Sequence, residues 1–401
     1  MLYYYFPIFV SLFFCSLRYE IIKKKKGISL FIFIIIFIYG FTYKMGGDWP
    51  VYLEFYIKKN PQITFISFFS EVFLFEKGYV LLNLFFFKLG FSYFLTTSIE
   101  ISICIFIWLN FLRKKTRNIY FAFIILLTTS FFTYVVHPVV RQMIAISIFL
   151  IAFKYIEKGK FFKYLLLVII AAQFHRSAYI CIFLYFFRYV KLNYKIIIFY
   201  SIGIYLVIYL LPLVIENIPG LSYYKREFLD ILHTGVRKRS FFEEILKVII
   251  LSLRIFLVLN TYGKSKNKSE SIENIAIVYL IISYFSNRLP MLERLQGYFV
   301  LFYIISFSFI GKIYLTKKLR LEFIGKILIA LISIMLSLAF YRFIYSSEVN
   351  IFQFSQYRNY IIERLKGNIN EDIYSDYKKY YEDVEKLHYK NKKEELKKFF
   401  N

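Results

Sequence analysis

Residues 23–43 read KKKKGISLFIFIIIFIYGFTY and contain the pattern that recurs throughout the chain. Four lysines precede a long apolar run, and the next charged side chain is Lys44. Such a run is typical of a helix that crosses a hydrocarbon layer roughly 30 Å thick, which takes about 20 predominantly apolar residues. Because similar runs follow from end to end, the sequence predicts an all-α polytopic membrane protein.

The overall composition leads to the same class of protein. Hydrophobic residues make up 59% of the chain and aromatic residues 22%, whereas soluble domains contain about 45–50% apolar residues. A water-soluble fold cannot hide that much apolar surface. We therefore expect no soluble enzyme domain, and we expect membrane lipid to surround most of the protein.

Apolar runs that are long enough to be spans predict about twelve transmembrane helices. The first run follows no basic segment and precedes no small-residue cleavage site, so it is interpreted as a retained span and not as a signal peptide. The predicted spans are residues 1–17, 28–43, 93–112, 118–136, 139–157, 162–175, 177–190, 194–215, 245–262, 272–289, 294–314 and 322–345.

Basic clusters between the runs predict the orientation, because Lys and Arg in short loops stay on the cytoplasmic side. If the loop with Lys23–Lys26 is cytoplasmic, every second loop should be basic. Clusters at residues 113–117, 154–163, 188–195, 264–268 and 317–320 follow this alternation. Topology thus explains the net charge of +26, and we expect no nucleic acid among the partners.

The segments outside the runs predict a domain organisation. Residues 1–345 form the polytopic domain, with outer loops at 44–92 and 216–244. The apolar stretch 78–91 within the first loop is placed flat in the outer interface. The second loop carries a basic run, which either an acidic partner or a weaker charge rule in long loops would explain. The charged tail, residues 346–401, is interpreted as peripheral or partly disordered and is placed outside.

Several sequence motifs are absent, and this limits the chemistry. The cysteines Cys15, Cys104 and Cys181 lie within apolar runs and lack the spacing of a disulfide framework or a zinc site. The chain has no P-loop and no Gly-x-Ser-x-Gly elbow. We therefore expect neither a metal nor a cofactor, and a substrate that arrives already activated.

The predicted topology places a group of polar residues at the outer ends of the spans. An ionisable residue at a membrane boundary must be paired, hydrated or directed at a cavity, which makes each one a candidate for a site. The alternative is that long side chains simply reach the interface. Arginine presents a planar fork that matches phosphate oxygens, so a diphosphate headgroup is the expected ligand. The residues are Asp48, Trp49, Arg141, Gln142, His175, Arg176, Arg288, Glu293 and Arg294.

Two of these residues are candidate proton acceptors. His175 interrupts an apolar stretch, and an unperturbed imidazole with a pKa near 6.5 is largely neutral at pH 7. Asp48 follows two glycines and precedes Trp49, a turn that could hold a carboxylate beside an indole ring for binding sugars. The alternatives are a hydrogen-bonded interfacial histidine, and an ordinary turn with a tryptophan of the aromatic belt.

Local motifs resemble those of the EpsG/Wzy-like polysaccharide polymerases of bacterial membranes. The resemblance covers roughly residues 1–345, and the motifs occur in the family's order. They are Gly47-Asp48-Trp49 with Tyr52 and Tyr56, Glu76-x-Gly78-Tyr79 with Leu89-Gly90, Arg141-Gln142-x-x-Ala145, Phe174-His175-x-Ser177-Ala178, and Glu293-Arg294 with Tyr298.

The resemblance implies a glycosyltransferase-C-like helical bundle in the bacterial cytoplasmic membrane. Its activity would be metal-independent polymerisation of undecaprenyl-diphosphate-linked oligosaccharides into O-antigen, capsule or exopolysaccharide. The expected partners are the lipid-linked oligosaccharide, a chain-length regulator and a flippase. The implied roles are proton transfer for His175 or Asp48, with His175 preferred; diphosphate binding for Arg141, Arg176, Arg294 and Arg288; and substrate binding for Trp49, Gln142, Tyr298 and Glu76.

Other functions fit parts of the pattern. A flippase or exporter of lipid-linked sugars would also place arginines outward, but it should show repeat symmetry or charges along a path through the membrane. An O-antigen-ligase-like enzyme or an acyltransferase differs in its acceptor. A receptor or structural protein would leave the outer polar residues unexplained.

Overall fold

The structure is a computed structural model. Regular structure among the residues that it describes is helical, which confirms the all-α prediction, apart from a pair of two-residue antiparallel strands, Ile313–Tyr314 and Arg320–Leu321. The described residues are 2–17, 27–44, 49–71, 73–128, 139–193, 195–203, 206, 241–266, 268–286, 290–311, 313–314, 320–344, 358–369 and 386.

Each predicted span overlaps a helical segment. Parts of several predicted spans lie outside the described residues, chiefly 129–136, most of 204–215 and 287–289. The segments are Leu2–Leu17, Ile28–Ile35 with its π-helical continuation Ile36–Gly40, Tyr93–Lys115, Ile119–Thr128, Val140–Glu157, Phe161–Ala172, the 3-10 helix Arg176–Tyr189, residues 195–203, Phe241–Thr261, Glu270–Ser286, Pro290–Phe307 and Glu322–Ile344.

The number of membrane crossings is supported only in part. Among the described residues, one helix, Tyr93–Lys115, is both long and apolar enough to cross a membrane. Shorter apolar helices include Ile119–Thr128 and Phe161–Ala172. The 3-10 helix Arg176–Tyr189 has 14 residues; at about 2.0 Å per residue it extends about 28 Å, close to the thickness of a hydrocarbon core. The figure of twelve helices remains a prediction.

Buried aromatic side chains hold the central helices together. Trp108 of Tyr93–Lys115 is fully buried, and its indole N–H donates to the Ser147 hydroxyl of Val140–Glu157 at 3.0 Å. A buried indole N–H needs such a partner. The rings of Phe153 and Phe302 pack with centroids 4.8 Å apart, which joins Val140–Glu157 to Pro290–Phe307. The helix with Arg141 therefore lies in the core of the bundle.

The first outer loop folds into short helices. Trp49–Glu54 continues as the π-helix Phe55–Lys59, and a 3-10 turn, Asn60–Gln62, leads to Phe65–Ser70. Residues predicted to lie flat in the interface form the helix Lys77–Lys88, which we call the outer-loop helix. It ends at a turn where Gly90 has φ +75°, a conformation that glycine adopts readily. The orientation of this helix to a bilayer stays a prediction.

Part of the C-terminal tail packs on the bundle. The backbone N–H of Tyr43 donates to the carbonyl of Arg358 at 2.9 Å, and that of Tyr360 donates to Phe41 at 2.7 Å. The Asn359 amide caps the short helix Tyr360–Leu365 and donates to the carbonyl of Phe37 at 2.8 Å. This docked tail, residues 358–369, therefore lies at the predicted outer end. Residues 216–240 of the second outer loop lie outside the described part.

Candidate active site

Glu76 joins three parts of the chain at one carboxylate. It immediately precedes the outer-loop helix, and its side chain is 13% exposed. One carboxylate oxygen accepts a hydrogen bond from Arg141 Nη1, and the other accepts from the backbone N–H of Arg176 at 3.3 Å. The outer loop, the helix Val140–Glu157 and the 3-10 helix Arg176–Tyr189 consequently meet here.

Arg141 is held by aromatic residues as well as by Glu76. It stands in the first turn of Val140–Glu157, which we call the arginine helix. Its Nε donates to the Tyr52 hydroxyl at 3.0 Å, and its guanidinium carbon lies 4.7 Å from the centre of the Phe75 ring. A guanidinium stacks well on an aromatic face while its edge makes hydrogen bonds. These contacts fix the direction in which Arg141 presents its charge.

His175 lies in the turn at residues 173–175, beyond the end of Phe161–Ala172 and before the 3-10 helix. Its Nδ1 is 2.5 Å from the Ser177 hydroxyl, which donates to the Tyr298 hydroxyl at 3.1 Å. Because a serine hydroxyl has a single proton, Ser177 accepts from Nδ1–H when it donates to Tyr298. The neutral imidazole then carries its acceptor lone pair on Nε2.

Burial and neighbouring charges decide the protonation of the site. Burial, aided by the charges of Arg141 and Arg294, lowers the pKa of His175 to about 4, although Glu76 acts in the opposite direction. Burial alone would raise the pKa of Glu76, but Arg141 and backbone N–H donors hold that pKa below its ordinary value. At neutral pH the site therefore contains a neutral imidazole, an ionised carboxylate and several arginines.

Arg176 and Arg294 are the other candidate arginines that the structure describes, and they lie near the partly buried pair of Arg141 and Glu76. The side chains of Arg176 and Arg294 are exposed. The carbonyl oxygen of Arg294 accepts a hydrogen bond from the Gln142 side chain, which ties Pro290–Phe307 to the arginine helix beside Arg141. Two exposed cations thus lie near a partly buried one, an arrangement that suits a multiply charged anion.

The residues predicted to bind substrate are mostly packed against their neighbours. Trp49 is 3% exposed and packs on Phe94, with ring centroids 6.0 Å apart. Gln142 and Tyr298 are also buried, and both hold site residues by the hydrogen bonds already described. Asp48 and Arg288 lie outside the described residues. Within the described part of the chain, His, Cys, Asp and Glu form no group of three that could hold a metal ion.

The sequence matches a known family over most of its length. A model of the EpsG family matches residues 28–359. The chain belongs to the EpsG family. No curated protein and no solved structure matches it. Membership in the EpsG family supports a polysaccharide polymerase type of function and a location in a membrane.

Sequence reasoning missed Phe75 of this EpsG family member, which stacks on Arg141. Its adjacency to Glu76 was the available signal. Ser177 was recognised as part of the histidine motif, but its link between His175 and Tyr298 was not predicted. Their roles depend on contacts between distant segments, which no local pattern displays.

A close contact between Gly78 and Gln173 explains why the Glu76-x-Gly78 motif contains a glycine. Its N–H donates to the carbonyl of Gln173 at 2.9 Å, which joins the outer-loop helix to the turn that carries His175. A Cβ at position 78 would lie 2.7 Å from that carbonyl oxygen and 2.8 Å from the Cβ of Gln173. Only glycine allows this close approach.

Replacing Gly78 should therefore move the outer-loop helix away from the turn that carries His175. We expect Gly78→Ala to lower the yield of long-chain glycan about 100-fold, because a displacement of about 1 Å can cost that much in catalysis. The measurement is glycan synthesis per amount of membrane-inserted protein. Gly203→Ala is the control, since a Cβ there meets no atom within 4 Å. Equal activity of the two variants would show that the close contact is unimportant.

Proposed function

We propose that this protein transfers a saccharide from an undecaprenyl diphosphate carrier to a hydroxyl group of a second lipid-linked unit. The reaction would take place at the outer face of the bacterial cytoplasmic membrane, without a metal, and would lengthen a surface polysaccharide. EpsG family membership supports the reaction class. The observation that carries the proposal is that Arg141 and the backbone of Arg176 share the Glu76 carboxylate beside His175.

The proposed reaction exchanges a glycosyl phosphate bond for a glycosidic bond. The acceptor hydroxyl oxygen bonds to the anomeric carbon of the donor saccharide. The bond from that carbon to the diphosphate oxygen breaks, and its electron pair leaves with the diphosphate. The hydroxyl proton moves to Nε2 of His175 and from there to water or to the released diphosphate. A neutral imidazole with its lone pair on Nε2 is suited to this role.

Arginines would stabilise the negative charge that develops on the leaving diphosphate. Exposed Arg176 and Arg294 attract the headgroup, and Arg141 approaches the oxygen that gains charge. Without substrate, Glu76 is the counter-ion of Arg141. The diphosphate would therefore compete with this carboxylate for the guanidinium, while Tyr52 and Phe75 keep Arg141 in place. Positive charge fixed in advance costs no reorganisation during the reaction.

The remaining predicted residues receive supporting roles in the proposal. Trp49, Gln142 and Tyr298 would shape the sugar site and hold Arg294 and His175 in position. Asp48 directly precedes Trp49 and remains the alternative proton acceptor, whereas Arg288 would add a further charge for the diphosphate. A chain-length regulator and a flippase are the expected protein partners.

A gene deletion complemented with variants tests the proposal against its rivals. We expect cells with His175→Ala to lose the ladder of long-chain glycan and to retain single repeat units on the outer surface. Wild-type complementation should restore the ladder. If lipid-linked units accumulate on the inner leaflet, the protein is a flippase. If glycan chains of normal length accumulate on the lipid carrier, it is a ligase.

A further inference from the structure

A cavity of about 800 Å³ lies between the first outer loop and the docked tail. Its wall is formed by the π-helix after Trp49–Glu54, by the turn around Gly90 and by the docked tail. The volume lies within the range of sites for small ligands, about 300–1,000 Å³. Side chains that could contact a ligand include Tyr56, Tyr93, Tyr360 and Arg364.

The docked tail forms a fixed wall of this cavity. Asn359 and Tyr360 are 2% and 4% exposed. The side-chain amide of Asn359 donates to the carbonyl of Phe37, and the backbone N–H of Tyr360 donates to the carbonyl of Phe41, so both residues are held against the end of the second helix. The Tyr360 hydroxyl lies 3.3 Å from the Ser92 hydroxyl, and Arg364 Nη1 donates to Tyr360 at 3.3 Å. The position of the Arg364 guanidinium thus follows from the folded tail.

The lining combines aromatic rings with hydrogen-bonding groups, as sugars require. The hydroxyls of Tyr360 and Ser92 and the guanidinium of Arg364 offer polar partners, and Phe91 offers a ring. An isoprenoid chain would fit the aliphatic residues of the wall, but it would cover the guanidinium of Arg364, which has N–H donors beyond the one that bonds to Tyr360, without pairing them, and this costs free energy. A hydroxyl-rich ligand pairs them and still packs on the rings.

The segment that forms one wall of the cavity also contacts Arg141. Tyr56, which lines the cavity, follows Tyr52 by about one helical turn, and Tyr52 accepts the hydrogen bond from Arg141. The Tyr56 hydroxyl donates to the carbonyl of Phe91 at 2.8 Å, which fixes the cavity wall relative to that helix. A saccharide that reacts at His175 and Arg141 would therefore have the cavity within reach of its next sugars.

We propose that this cavity binds the non-reacting sugars of the lipid-linked saccharide, and that the C-terminal tail supplies part of the binding site. The identity of the saccharide rests on the proposed function. The contacts that define the cavity are separate from those of Arg141 and His175, so the two proposals are tested by different variants.

The probe is an oligosaccharide mixture made by partial acid hydrolysis of the surface polysaccharide of the source cells. Binding to the purified full-length protein is measured by calorimetry. Arg364→Ala should weaken binding roughly tenfold, the loss expected for a hydrogen bond from a charged group. Ile57→Trp should also weaken it, because Ile57 lines the cavity and is 39% exposed, so a larger ring fills space without disturbing the core. Lys366→Ala, in the same docked tail but outside the lining, should bind as the wild type does.

The outcomes separate this proposal from the catalytic one. Arg141→Ala should bind the oligosaccharides as the wild type does while it fails to polymerise. No saturable binding to the wild type would overturn the cavity proposal, as would wild-type affinity in both Arg364→Ala and Ile57→Trp. Displacement of the bound oligosaccharides by a polyprenol would also overturn the proposal, since the cavity would then hold the lipid chain. Saccharide binding by a protein without polymerase activity would leave the cavity proposal standing and overturn the proposed function.

Discussion

Arg141→Lys is expected to reduce polymerisation about 100- to 1,000-fold even though it keeps the positive charge, the loss typical when one donor to a developing anion is removed. The Arg141 guanidinium donates to Tyr52 and Glu76 from different nitrogens while it stacks on Phe75. A lysine ammonium is a compact point charge and cannot make this set of contacts in one plane. The measurement is the turnover of purified lipid-linked units by the purified protein.

The matched control is Arg113→Lys, a change of the same kind at an exposed arginine in the last turn of Tyr93–Lys115. It should retain wild-type turnover. Both variants should elute as the wild type does in size-exclusion chromatography, which excludes misfolding as the cause. If Arg141→Lys retains half or more of the wild-type rate, Arg141 contributes only charge and the proposed geometry is wrong.

His175→Gln should lower turnover about 100- to 10,000-fold, the contribution typical of a general base. The pH profile adds a second readout. Because burial lowers the pKa of His175 to about 4, the neutral form that accepts the proton persists down to that pH. Wild-type kcat/KM, which reports the free enzyme, should therefore stay level between pH 7 and pH 5, whereas an ordinary histidine with a pKa of about 6.5 would lose activity there.

Ser177→Ala is the comparison variant, since it keeps the imidazole and removes the hydroxyl that holds Nδ1. Its loss should be smaller than that of His175→Gln. Folding must be followed in parallel, because a histidine with a lowered pKa destabilises the folded state progressively as pH falls from about 6.5 towards 4. A loss of kcat/KM with a midpoint near pH 6.5, in protein that is still folded, would contradict the assigned role.

The bounds of the helices and the end of the bundle at which the site residues lie were predictable, because both follow from simple physical rules. The extent of an apolar run predicts where a helix begins and ends within a few residues, as Val140–Glu157 shows against the predicted 139–157. Alternation of basic loops then places Arg141, His175 and Arg294 at one end. Their electrostatic coupling in the structure agrees with that placement.

Other features were beyond sequence reasoning for identifiable reasons. The π-helix Ile36–Gly40 and the 3-10 helix Arg176–Tyr189 lie in runs that are hydrophobic on all sides, so periodicity carries no signal there. The contact between Gly78 and Gln173 joins segments almost a hundred residues apart. The docking of residues 358–369 was not predicted, because Asn359 and Tyr360 pair with backbone groups at the end of the second helix, which side-chain composition does not reveal.

The central claim is that the arginines and His175 face one lipid headgroup at the outer surface, and cysteine labelling tests it most directly. Arg176→Cys and Arg294→Cys, each in a variant without the native cysteines, would be exposed to a membrane-impermeant maleimide in right-side-out spheroplasts, with Arg113→Cys as the inner-face control. We predict that both outer positions react without permeabilisation and that undecaprenyl diphosphate protects both, while Arg113→Cys reacts only after permeabilisation. Labelling of either outer position only from the inside, or protection of one and not the other, would contradict the account.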